Sequence, residues 1–228
     1  MKAQYDRIVT RAYETKVHKT EKEVKIETTL SISAIYIQRI LDIQVTWNIQ
    51  ADGTVDIAMD VKRNTIFPML PRFGLRLFLP KEMKDVTYYG LGPVESYMDK
   101  RRASWHGEFS SPVTDLHEDY IRPQENGSHY DCDYVTLSSN AGHLLPERKT
   151  SLTAVSGQTF SFNASVYTEE ELTNKAHHYE LEECGSTVLC LDYRQNGIGS
   201  NSCGPQLIEK YRLDETEFHF ELRLKPEA

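Results

Sequence analysis

The 228 residues carry a formal net charge of −8 with 39% hydrophobic and 26% charged residues, and a mean hydropathy of −0.54. This acidic balance argues against nucleic acid or an anionic membrane surface as the main partner, and no run approaches the ~18 consecutive apolar residues of a membrane span. The opening MKAQYDRIVTRAYETK has no apolar core followed by a small-residue cleavage site, so it does not read as a secretory signal, and a cytoplasmic location is expected.

Strand patterns dominate in chain order. Val24, Ile26, Leu30, Ile32 and Ala34 alternate with polar residues and predict a long, half-buried strand. Ile43, Val45, Trp47 and Ile49 alternate next, and after Ala51-Asp52-Gly53 so do Val55, Ile57, Met59 and Val61. Two alternating runs around Asp-Gly predict a hairpin. Further strands are predicted over Phe73–Leu79, Val86–Tyr89, Gln158–Tyr167, Thr187–Asp192 and Phe218–Leu224, with Pro68, Pro71, Pro80 and Pro93 punctuating the middle. Thr168-Glu169-Glu170-Glu171 carries the capping-box pattern, with acidic residues at the positive end of a helix dipole. It predicts one short helix running to about Tyr179. Residues 1–228 read as a single all-β domain, a large antiparallel β-sandwich.

Residues 86–127 hold two dense clusters of turn formers, aromatics and charges, Tyr88–Asp99 and Tyr120–Gly127, around the aromatic-bearing segment Trp105–Phe109. Such clusters belong on loops held by a rigid scaffold. The neighbouring acids Glu118-Asp119, Glu182-Glu183 and Glu169 with Glu171 read as solvated surface. Glycoside hydrolysis needs two carboxyls roughly 5 to 9 Å apart, and no motif here implies that. His177-His178 would diverge by about 100° on a helix and cannot chelate one ion; one surface and one packed histidine are expected. Tyr88-Tyr89-Gly90-Leu91-Gly92-Pro93 contains GxG but lacks the Lys-Ser/Thr of a phosphate loop and the continuation of a dinucleotide turn. A second glycine-rich loop runs from Asn196 to Pro205, and its Cys203 has no histidine nearby in sequence to activate it. Cys132, Cys184, Cys190 and Cys203 form no CxxC and have no His pair at zinc-ligand spacing, so free buried thiols are expected.

These two loops and the Pro123-Gln124-Glu125-Asn126-Gly127 segment resemble the C-terminal domain of the large β-galactosidases of glycoside hydrolase family two. The matching features are Tyr88–Pro93 with Glu95, Tyr97, Asp99 and Lys100, then Tyr120-Ile121, Pro123–Gly127, Asn196–Gly199 and Ser202–Pro205. The similarity runs over almost the whole chain. It implies a galactose-mutarotase-like supersandwich whose catalytic glutamates lie in a preceding barrel domain, and no stretch here resembles that barrel. The family's magnesium and sodium ligands also lie mostly in the barrel region, so no cofactor or metal is assigned to this chain. In some relatives the region is a separate small subunit paired with a catalytic large one.

The resemblance carries one site. In enterobacterial relatives the loop matching Asn201–Pro205 brings a Trp to the rim of the active site, which makes Asn201, Ser202 and Cys203 the substrate-rim residues here. Cys203 takes the Trp position and cannot stack on a sugar, so altered recognition of the aglycone is expected. The family's domain opens with further strands, so Met1 looks like a start inside a truncated domain, and uncovered sheet edges favour self-association. The expected partners are a catalytic barrel region or large subunit, and a β-galactoside at the rim. Two other functions fit a mutarotase-like sandwich. A carbohydrate-binding module would use Trp105, Tyr88 and Tyr89 as stacking surfaces, although packing between sheets is the commoner role of such rings. An aldose epimerase would need a histidine and a carboxylate converging in the cleft.

Overall fold

The computed structural model describes residues 3–139, 150–199 and 206–227. The predicted Asp-Gly hairpin forms as β3 (Leu41–Gln50) and β4 (Val55–Arg63). Gly53 takes φ +86° at the turn, and the Asp52 carboxylate accepts the Thr54 N–H at 2.9 Å. β2 (Glu23–Ala34) pairs with β3 in the register that sets Ile26 beside Trp47 and Leu30 beside Ile43. On its far edge lies β1 (Ile8–Lys19), a twelve-residue strand whose every side chain is exposed. Its residues show no sustained alternation, because a strand with neither face buried needs none.

Beyond β4 the sheet continues through β11 (Glu217–Glu227), β9 (Ser151–Ser165), β8 (Ser128–Ser138) and β6 (Asp85–Gly92) to β7 (Trp105–Pro112). β9 changes partners along its length: Ser151–Val155 pairs with β11, and Ser161–Ser165 pairs with β10 (Ser186–Gln195). β10 in turn pairs with β5 (Arg72–Pro80). The β5–β10 branch folds over β11, since Phe73 of β5 meets Phe218 edge-on at 5.1 Å and Tyr193 of β10 stacks on Phe218 at 4.7 Å. This is the second layer of the sandwich. β10, paired on both sides, buries Val188, Leu189, Cys190 and Leu191 in succession, as a strand covered on both faces does.

The sequence patterns predict no strand at β7 or β8. The register of β8 shifts on either side of Cys132, and such bulges break the period of two. The helix starts as predicted: the Thr168 hydroxyl accepts the Glu171 N–H at 3.1 Å. It ends sooner, as α1 (Glu169–Asn174), because Lys175 turns to an extended conformation. Both His177 and His178 are exposed, which corrects the expectation of one packed histidine. His177 stacks on Tyr179 at 5.1 Å instead. Among the described cysteines Cys132 and Cys190 are buried free thiols, and Cys184 is free but exposed, against expectation.

Arg63 ends β4 on the apolar face and is buried. Its guanidinium donates to the Glu215 carbonyl at 3.1 Å, the Phe67 carbonyl at 3.0 Å and the Asp214 carbonyl at 2.5 Å. The cation thus satisfies the orphan carbonyls of two crossing segments, as buried polar groups require.

Candidate functional site

The motif loops interlock. The Ser96 N–H donates to the Ser128 carbonyl at 2.7 Å, and the Ser96 hydroxyl accepts the Tyr130 N–H at 2.9 Å. Glu95 sits at the centre, buried among the aromatics. Its carboxylate accepts from the Lys100 ammonium, the Tyr120 hydroxyl, the Tyr97 hydroxyl at 3.3 Å and the Gly127 N–H at 2.9 Å. Burial alone would push this carboxyl up, but these donors outweigh it and hold it below its ordinary value. An ionised group with every lone pair engaged is a structural anion, not a proton donor.

Gly127 is the hinge of this arrangement. It adopts φ +63°, and a Cβ there would meet the Leu116 carbonyl oxygen at 2.5 Å. Gly127→Ala is expected to cost roughly 2 to 3 kcal/mol from backbone strain and crowding. An unchanged urea midpoint would contradict this.

The Glu125 of the same segment enters a second network. Arg72 reaches Glu125 at 3.2 Å, Asn163 at 3.2 Å and both Asp192 oxygens, one of them at 3.3 Å. Asn163 donates to Glu125 at 2.9 Å, and Gln195 donates to Asn163 at 2.8 Å and Asp192 at 3.1 Å. Burial pushes the Glu125 carboxyl up despite Arg72. Glu169, expected at the solvated surface, is instead half-buried: it pairs with Arg76 at 2.7 Å and accepts the Cys190 thiol at 2.9 Å.

His117, Glu125, Glu169 and Arg72 do converge on a cavity, the pairing that an epimerase would need. Its volume is about 20 Å³, room for on the order of one water and far too little for a pyranose. The carbohydrate-module triad also comes apart. Tyr88 is a core residue packed against Phe109, His129 and Phe162. Trp105 pairs with Gly92 and Tyr89 with Glu108, and by the strand alternation the two exposed rings lie on opposite faces of the β6–β7 ribbon. They cannot clamp one sugar.

The second glycine-rich loop is described as far as Gly199. Asp99, the end of the first cluster, grips its foot: the carboxylate accepts the Ile198 N–H at 3.1 Å and the Gly199 N–H at 3.0 Å. Asn196 is fixed as well, its N–H to the Pro71 carbonyl at 2.8 Å and its side-chain oxygen to the Leu213 N–H at 3.1 Å. Asn201, Ser202 and Cys203 lie outside the described residues. The sequence places Asp99 in the motif but not its role, because its partners are backbone amides about a hundred residues away. Among the described residues no group of three or more His, Cys, Asp or Glu side chains stands close enough to hold a metal ion, and no helix is long and apolar enough to cross a membrane.

The chain is an all-β sandwich in which Glu95, Glu125 and Asp192 are hydrogen-bonded to internal donors. Comparison with known proteins places it further. The family described as "Beta galactosidase small chain" matches residues 1–224. The chain is 43% identical over 216 residues to a β-galactosidase of Actinobacillus pleuropneumoniae, covering 95% of this chain and 20% of the relative. It is 40% identical over 221 residues to that of Staphylococcus xylosus, covering 97% of this chain and 21% of the relative. The chain belongs to the β-galactosidase small-chain family, and it spans about a fifth of the length of these relatives.

Proposed function

We propose that this chain is the non-catalytic small-chain region of a retaining β-galactosidase of glycoside hydrolase family two, cleaving terminal β-galactosides such as lactose in the cytoplasm. The acid/base and nucleophile carboxylates sit in the partner barrel, together with the magnesium and sodium ions of the family. This chain supports that barrel and lends the Asn201–Pro205 loop to the substrate rim, with Asn201, Ser202 and Cys203 nearest the aglycone. The observation that carries the reading is the Asp99 clamp, which joins the two family motifs and fixes the foot of that loop. Support at the foot of a binding loop shows in affinity.

The test is Asp99→Asn in the assembled enzyme. Weakening two charge-assisted hydrogen bonds by about 1.4 kcal/mol would raise KM roughly tenfold, with kcat nearly unchanged because only uniform binding is lost. An unaltered KM, or a fall confined to kcat, would remove the loop from the rim.

A further inference from the structure

Strand register aligns one face of the β1–β2–β3–β4–β11 sheet into rows. One row runs Val17, Ile26, Trp47, Ile57, Leu222, and the next runs Lys19, Val24, Ile49, Val55, Leu224. Exposure falls steeply along the first row, from 60% at Val17 to 1% at Ile57 and 2% at Leu222. Ile49 in the second is 36% exposed and Leu224 9%. The core face of the sandwich thus runs out past the second layer along β2, through Val24, Ile26, Leu30 and Ile32, and reaches Val17 of β1. The opposite face of the same wing carries Arg11, Glu14, Lys16, Lys25 and Glu27, so the apolar side is a built face and not general greasiness. A contiguous apolar sheet face of this kind marks an interaction surface.

We propose that this wing face is where the large chain of the β-galactosidase docks, through an amphipathic segment that completes the second layer over Val17, Ile26, Trp47 and Ile49. The inference rests on the proposed two-part enzyme and adds the surface through which the parts meet. One observation favours the large chain over a second copy. The relatives carry about four fifths of their length outside the region this chain matches, which supplies the missing layer.

The test co-expresses the full 228-residue chain with the large chain of its enzyme and measures affinity and hydrogen exchange. Val17→Glu and Ile49→Glu, made separately at already exposed positions, are each expected to weaken association at least tenfold. Arg11→Glu on the opposite face should change it less than threefold. Amides of 8–34 should exchange at least tenfold more slowly in the complex. If the native chain binds but both Glu variants bind equally well, the wing assignment is overturned and the two-part reading stands. If the native chain does not bind at all, both fall. If it instead forms a dimer that the Glu variants dissolve, the occupant is a second copy and the proposal is wrong.

Discussion

Arg72→Met is expected to lower the unfolding free energy by about 3 to 5 kcal/mol, the cost of leaving a buried carboxylate without its cation. Asp192 is 2% exposed, and its charge is balanced by the Arg72 guanidinium, which grips both its oxygens. Asn163 and Gln195 remain after the substitution, but amides cannot neutralise Asp192 and Glu125 together. For a chain of this size such a loss lowers Tm by roughly 10 °C. Adding Asp192→Asn should recover about 1 to 2 kcal/mol, because replacing both ionic partners removes the uncompensated charge. A loss under 1 kcal/mol, or a double variant no better than the single, would show that the network is not what ties β5 to β10 and to the Glu125 segment.

Mild acid should destabilise the fold through His129. The ring is 1% exposed, stacked on Phe162 at 5.1 Å, with Nδ1 2.9 Å from the Tyr88 hydroxyl. Its Nε2 has no partner among the described residues. Burial lowers its pKa from 6.5 to about 4. The unfolded chain takes up the proton first, so this contribution is fully present above pH 6.5 and is lost as pH falls from there towards 4. The shift amounts to about 3 kcal/mol in full, of which about 2 is lost between pH 7 and pH 5. Burial raises the Glu125 and Asp192 carboxyls, which acts in the opposite sense, so the comparison must be made within a variant pair. His129→Phe, keeping the stacking ring, should flatten the pH dependence of urea unfolding by about that amount. Parallel pH profiles for the two proteins would assign acid sensitivity elsewhere.

Much of the fold is legible wherever one face of a strand is wet and the other dry. β2, β3, β4 and β11 alternate because the sheet they share has a core side and a water side, and Asp52-Gly53 marks its hairpin. β1 escapes because both its faces are exposed, and β8 because its bulges around Cys132 shift the period. The candidate site was legible as a family signature and not as chemistry. Glu95 and Glu125 stand in the sequence only as members of the motif, and only the folded chain supplies Lys100 and Tyr120 around the one and Arg72 and Asn163 around the other. Asp99 shows the limit most sharply, since what it holds is backbone from the far end of the chain.

In the proposed function this chain works in a β-galactosidase without performing its reaction. The direct measurement is hydrolysis of a chromogenic β-galactoside by the purified chain, free of host enzyme, alone and then with the barrel region or large subunit of its enzyme. No turnover is expected alone, and turnover should appear on mixing in proportion to complex formed. Turnover that copurifies with the isolated 228 residues would contradict it.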